Sequence, residues 1–195
     1  DVVKSFDGNV VLNHISANFE DGKVNMIIGQ SGSGKTVLMK SMIGLHPINS
    51  GEIIFDTRNG QQNLAAMSEK EVRMLHREVG MLFQGSALFD SMTVQENVMF
   101  PLEMFSQMSK EEMVERARFC LSRVDMPERA YSLMPSEISG GMQKRVAIAR
   151  AIALNPRYLF CDEPNSGLDP KTSLVIDKLI QDITQEYGIC TIVNS

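Results

Sequence analysis

The chain is short of long apolar runs, of positive charge and of cysteine. No apolar stretch approaches the roughly twenty residues a membrane-spanning helix needs, so any membrane role comes through a partner. The 19 Lys and Arg against 24 Asp and Glu leave a net charge of -5. That is not the basic footprint of a nucleic-acid binder. Cys120, Cys161 and Cys190 are widely separated and form no metal-type spacing. An odd count fits reduced thiols in a cytosolic protein, and two of these cysteines sit in apolar stretches. There is no secretory leader, and the first residue is Asp rather than Met, which reads as a trimmed chain. What is present is 195 residues, 43% hydrophobic and 22% charged, enough for one globular domain with a subdomain inserted.

The most informative stretch is Gly29-Gln-Ser-Gly-Ser-Gly-Lys-Thr36, which fits G-x-x-x-x-G-K-S/T, the phosphate-binding loop. Val24-Asn-Met-Ile-Ile28 before it reads as a buried strand, and Lys35 to Ile43 after it as two to three helical turns. Gly29, Gly32 and Gly34 let the backbone turn tightly and approach phosphates without a Cβ in the way. Successive N–H groups and the positive end of the helix then face the anion. Lys35 supplies charge for β- and γ-phosphates, and the Thr36 hydroxyl is placed to ligate Mg²⁺. The alternative is a glycine-rich turn followed by a chance Lys-Thr, but strand and helix both stand where the motif requires them.

Around this loop, residues 1–28 read as a small antiparallel sheet, with turns at Asp7-Gly8-Asn9 and a hairpin signal at Asp21-Gly22. Phe6 is the one aromatic early enough to stack on a base, although core filling is the commoner fate of an aromatic. Glu52–Phe55 is a short strand, Arg58–Asn63 an exposed loop, Glu69–Arg77 a short helix and Val79–Phe83 a buried strand. From Gly85 to Met142 the pattern turns helical and Met-rich. Ser109-Lys-Glu-Glu112 is a capping box opening a helix to about Val124, with Met113, Ala117, Cys120 and Leu121 on its apolar face. Ser139-Gly-Gly141 opens a helix from Met142 to Leu154, and Tyr158–Cys161 is a fully apolar strand ending in Asp162-Glu163. Asp169 caps and Pro170 starts a helix whose period runs through Leu174, Ile176, Leu179 and Ile183. Gly188 stops it, and Cys190–Val193 is the last strand. Alternating strands and helices imply a mainly parallel sheet covered on both sides.

Asp162 at a strand tip can hold a Mg²⁺ shell, and Glu163 is positioned to polarise an attacking water. An acidic pair alone could equally cap a strand end. The order of Gln84, Ile138-Ser-Gly-Gly-Met142, Asp162-Glu163 and Ser166-Gly-Leu-Asp169, after the phosphate loop, resembles the ATP-binding-cassette ATPases over nearly the whole chain. The resemblance implies an α/β P-loop NTPase fold, RecA-like, with a small antiparallel β subdomain and an inserted helical subdomain. It divides the chain into a nucleotide-binding core, 1–84 and 143–195, and a helical signature subdomain, 85–142, within one cassette truncated at both ends.

The resemblance also implies roles. Phe6 matches the aromatic that stacks on adenine, against its bulk reading as core. Gly29, Gln30, Ser31, Gly32, Ser33, Gly34, Lys35, Thr36 and Val37 match the ATP-binding stretch. Thr36, Gln84 and Asp162 match the Mg²⁺ contacts, with Glu163, Lys35 and Gln84 serving catalysis. Ser139, Gly140 and Gly141 match the signature loop that binds the γ-phosphate of ATP held by a second copy, and Asp169 a residue that crosses the dimer interface. A glycine turn at the start of the helix from Met142 is itself an anion-binding helix end. The signature departs from the usual Leu-Ser-Gly-Gly-Gln at Ile138 and Met142, keeping the phosphate-facing Ser and glycines. The family's switch histidine would follow Ser195, and none of His14, His46 or His76 fills its place. ATP binding is therefore expected of this stretch, while hydrolysis by it alone is not assured.

Phe83-Gln-Gly-Ser-Ala-Leu-Phe-Asp90, Thr93–Asn97, Phe100-Pro-Leu102 and Met142 look like the ATPase subunit of phospholipid-trafficking importers of the maintenance-of-lipid-asymmetry type. An amino-acid or other small-solute importer is the alternative, and a soluble ABC ATPase is a further one. The resemblance implies a homodimer around two Mg-ATP, peripheral on the cytoplasmic face of the inner membrane. A permease would dock near Gln84 to Phe100, with accessory subunits possible and no nucleic-acid partner.

Overall fold

A computed structural model describes residues Asp1–Ser195. In chain order its elements are β1 (Val2–Phe6), β2 (Asn9–Ile15), β3 (Val24–Ile27), α1 (Lys35–Met42), β4 (Ile54–Thr57) and β5 (Gly60–Asn63). Then follow α2 (Glu69–His76), β6 (Val79–Leu82), α3 (Val94–Phe105), α4 (Lys110–Arg123) and α5 (Gly140–Ala151). The chain ends with β7 (Tyr158–Asp162), α6 (Pro170–Tyr187) and β8 (Cys190–Asn194). A parallel sheet of order β3-β8-β7-β6 forms the centre, and β1-β2 and β4-β5 make two antiparallel pairs beside it.

The two central strands are buried along their whole length, as strands covered on both faces must be. Successive side chains alternate in direction. Tyr158 and Phe160 of β7 pack with Met39 and Met42 of α1, Phe55 of β4 and Leu75 of α2. Leu159 and Cys161 take the opposite face, with Ile148 of α5 and Ile176 and Ile183 of α6. Each fully buried apolar side chain of this size contributes about 1.5–3 kcal/mol. Gly80 of β6 is obligatory here: a Cβ would lie 2.4 Å from the Ala151 carbonyl oxygen, so only glycine lets β6 reach α5. The fold is that of a P-loop NTPase, α/β with a mainly parallel sheet, as the sequence indicates. No helix is long and apolar enough to cross a membrane.

The caps decide several helix starts. Ser109 and Glu112 form the expected capping box of α4, with the Ser109 amide donating to Glu112 Oε2 at 2.6 Å. Asp169 caps α6, accepting from the Lys171 and Thr172 amides at 3.0 and 3.1 Å. Gly188 ends that helix in the left-handed region, φ 62°.

Other expectations give way. β3 is not buried: it is an edge strand, and Met26 and Ile28 are 58% and 79% exposed. No hairpin forms at Asp21-Gly22, because β3 pairs in parallel with β8 and not with the segment before the turn. Arg58–Asn63 is not wholly loop: Gly60, φ 98°, turns the chain so that β5 folds back on β4. β4 itself begins at Ile54 rather than Glu52. α5 starts at Gly140, not Met142, since Ser139 is its cap, and it closes at Ala151 rather than Leu154. Leu174 is 70% exposed, off the buried Ile176–Leu179–Ile183 stripe of α6.

Candidate functional site

Parallel pairing brings strand ends to one edge of the sheet. Ile27 lies opposite Asn194, Asn194 opposite Asp162, and Leu82 opposite Cys161. The loop after β3, the loop after β6 and the tip of β7 therefore meet at the C-terminal edge, where α/β sheets bind ligands.

The loop Gly29–Thr36 turns through left-handed Gly32 and Gly34, φ 78° and 95°. At Gly34 a Cβ would lie 3.1 Å from Val11 Cγ1 and 3.2 Å from the Val11 carbonyl oxygen, so conformation and space both demand glycine. α1 begins at Lys35 without a side-chain cap and without an acidic residue in its first turn. Its leading N–H groups thus keep their affinity for an anion. The Lys35 ammonium donates to the Gly29 and Gln30 carbonyls at 2.7 and 3.1 Å.

Asp162 is buried, and its Oδ1 accepts from Thr36 Oγ1 at 3.2 Å and from Asn194 Nδ2 at 2.8 Å. Glu163 follows in the left-handed region, φ 46°, a conformation that costs a non-glycine residue about 1–3 kcal/mol. The Asn194 side chain helps hold it there by accepting from the Glu163 amide at 3.0 Å. Glu163 Oε2 in turn accepts from Gln84 Nε2 at 2.6 Å. Residues from widely separated positions thus converge on one carboxylate pair.

The donors at this point suit Mg²⁺. Two neighbouring oxygen ligands of an octahedral Mg²⁺ stand about 3 Å apart, close to the 3.2 Å between Thr36 Oγ1 and Asp162 Oδ1. No group of three or more His, Cys, Asp or Glu side chains converges on a metal position.

The other expected residues stand apart from this cluster. Ser139 Oγ accepts from the Met142 amide at 3.3 Å, and Gly140 and Gly141 form the first turn of α5. None of the three hydrogen-bonds the phosphate loop of the same chain. Asp169 is exposed and engaged in its cap, where Thr172 Oγ1 holds its carboxyl below the usual range. Phe6 is 39% exposed on β1, edge-on to His46 at 5.5 Å, with Lys4 Nζ 4.6 Å from its ring centre. His14 bonds Asp1 and His76 bonds the Ile43 carbonyl, so neither reaches the site. In the segment around Gln84, Phe83 and Phe89 are exposed and the Phe89 ring packs on that of Phe100 at 4.6 Å; Met104 and Met108, at the far end of α3 and beyond it, are exposed too.

The sequence reading missed Lys144 and Asn194. Lys144 is buried in α5 and donates to the Gln84 carbonyl. Burial pulls its pKa down, opposed by the charges of Asp162 and Glu163. No local signal marked it: α5 also carries Arg145 and Arg150, and the sequence does not say which of the three cations is buried. Asn194 was left off the end of the last strand. All three cysteines are free and buried, and burial pushes Cys161 up to about 12, so these thiols are inert at neutral pH.

Comparison with known proteins places this geometry. The family model described as ABC transporter matches residues 12–166. The methionine import ATP-binding protein MetN of Desulfitobacterium hafniense (strain Y51) is 40% identical over 94% of the chain, which spans 52% of that relative. The glutamine transport ATP-binding protein GlnQ of Escherichia coli (strain K12) is 41% identical over 95% of the chain and 75% of its own length. The chain thus spans about half the length of the methionine-import relative. Among solved structures, the dimeric post-hydrolysis state of the ATP-binding cassette MJ0796, bound to ADP and Pi, superposes with a TM-score of 0.86 at 32% identity. It covers 99% of this chain and 84% of that one. These relatives are named for amino acids and not for phospholipid trafficking, so the lipid expectation is corrected toward the amino-acid alternative. The lipid resemblance rested on residues 83–102 and Met142, several of which, among them Val94, Val98 and Leu102, are fully buried and pack the helical part of the fold.

Proposed function

This chain belongs to the ABC transporter family, and on that premise we propose that it is the nucleotide-binding part of an ATPase subunit driving an amino-acid importer. The observation that carries the ATPase reading is the convergence of Thr36 on Asp162 and of Gln84 on Glu163 at the edge of the sheet. The cargo class is supported by the names of the methionine and glutamine relatives.

In this reading the phosphates of ATP lie against Gly29–Val37, with the leading amides of α1 and the Lys35 ammonium neutralising their charge. Lys35 exchanges the carbonyls it now holds for phosphate oxygens. Phe6, exposed on β1, offers a face for the base. Thr36, Asp162 and Gln84 would hold Mg²⁺, which supplies positive charge against the charge developing on the transferred phosphoryl oxygens. Glu163 orients the attacking water and draws on its proton, while Gln84 fixes that carboxylate. Positioning and electrostatics supply most of the acceleration.

Two copies close face to face, with Ser139–Gly141 of one chain completing the phosphate site of the other and Asp169 at the seam. Residues 1–84 and 143–195 act as the core and 85–142 as the helical subdomain. The exposed Phe89, in the loop that follows Gln84, is a suitable seat for a permease on the cytoplasmic face of the membrane.

The test uses the full-length protein purified with its membrane partners. Glu163→Gln should lower hydrolysis by about 10²–10⁴-fold, keep ATP affinity and form a dimer with saturating Mg-ATP by light scattering. A monomer under those conditions overturns the sandwich. Stimulation of wild-type hydrolysis by an amino acid with its receptor supports the cargo class, and stimulation only by phospholipid overturns it.

A further inference from the structure

Lys144 is 4% exposed, on the α5 face that also carries buried Ala147, Ile148 and Ala151. A buried ammonium needs a partner, and here it is the main-chain carbonyl of Gln84. Six residues further along α5, Arg150 donates to the carbonyls of Ser86 and Ala87, at 2.7 Å each. Ser86 and Ala87 are both left-handed, φ 63° and 47°, so this backbone is held in a conformation it would not keep unaided. From the other side, fully buried Asn97 accepts from the Phe89 amide at 2.8 Å and donates to the Phe89 and Met92 carbonyls at 3.1 Å each.

The loop after β6 is therefore not a free hinge. Its backbone is bolted to α5, the helix that opens at Ser139-Gly140-Gly141, while the Gln84 side chain bonds Glu163. A carbonyl bound at Gln84 fixes where that residue's amide can reach. We propose that Lys144 is a positioning residue: by holding the Gln84 carbonyl to α5, it sets the Gln84 amide against Glu163 and ties the water-orienting pair to the signature helix. A shift of the signature loop then reaches the hydrolytic carboxylate through one rigid element and two side chains. The role rests on the ATPase reading above and adds to it the element through which the two halves of the dimer would communicate.

The experiment measures steady-state hydrolysis by the full-length protein as a function of ATP and of Mg²⁺, with melting temperatures. The variants are Lys144→Met, which keeps length and loses the donor, Lys144→Gln, whose donor falls short of the carbonyl, and Lys144→Arg, which keeps cation and reach. Lys144→Met and Lys144→Gln should lower kcat on the order of tenfold to a hundredfold, as small misplacements of catalytic groups do. KM for ATP should stay within about twofold, since the phosphate loop is untouched. The Mg²⁺ needed for half-maximal rate should rise, and Lys144→Arg should recover most of the rate. If only one of the two donor-loss variants folds, it carries the test.

Unchanged kcat and Mg²⁺ dependence in the folded variants overturns the proposal, as does a loss that merely follows a lowered melting temperature. Wild-type hydrolysis abolished by Lys35→Ala secures the underlying ATPase reading. A wild type without hydrolysis overturns both, whereas active wild type with wild-type-like Lys144→Met overturns the positioning role alone.

Discussion

In the phosphate loop, the Lys35 ammonium rests on the loop's own carbonyls and α1 starts without a side-chain cap. At the tip of β7, by contrast, Asp162 is buried and already paired with Thr36 and Asn194, and strained Glu163 is held by Asn194 and Gln84. Both arms stand at the same edge of the sheet. The loop arm is a set of donors that gains its partners from an anion. The acidic arm is assembled before any ligand arrives, as electrostatic preorganisation requires. On the proposed reading, binding falls to the first arm and chemistry to the second, and mutations in the two arms should separate them.

The largest expected effect falls on the loop arm. Lys35→Ala should weaken ATP binding by about a hundredfold or more, since charge-assisted contacts to phosphate are the strong ones. It should scarcely move the melting temperature, because Lys35 bonds only to loop carbonyls. A nucleotide titration and a thermal melt on the same sample check both halves. A large loss of stability with unchanged binding would break the comparison.

Asn194→Ala, in the acidic arm, should behave in the opposite way. It leaves Asp162 without its 2.8 Å donor and Glu163 without its 3.0 Å acceptor. Denaturant unfolding should show a loss of about 1–3 kcal/mol, with ATP affinity changed far less than hydrolysis. The smallest effect belongs to Asp169, which lies in neither arm. Hydrogen bonds from Thr172 hold its carboxyl below the usual aspartate range, so its contribution is present above the unfolded pKa and lost as pH falls through the lower folded pKa. The stability difference between wild type and Asp169→Asn should therefore shrink on acidification through and below the ordinary aspartate range, as read by melts across that range. A difference that grows in acid would contradict the cap.

The loop arm was legible in the sequence because its determinants are contiguous: glycines, a lysine and a threonine between a strand and a helix. The acidic arm was half legible. Asp162 and Glu163 stand out after four apolar residues, and Gln84 was reached through a family resemblance. Lys144 and Asn194 were not found, because nothing local distinguishes a lysine in a helix or an asparagine after a strand. Asn194 contacts Asp162 across 32 positions and Lys144 contacts Gln84 across 60.

The same division runs through the fold. The sequence by itself determined what depends on a few neighbouring residues: the capping box at Ser109, the Asp169-Pro170 start, the Gly188 stop and the glycine turn of the phosphate loop. Only the tertiary structure decided which strand lies beside which. β3 became an exposed edge because it pairs with β8, with Asn25 bonding Thr191 at a separation of 166 residues. Parallel pairing is closed by crossovers and not by turns, so its register is written in packing across the whole chain and not in any one stretch of it.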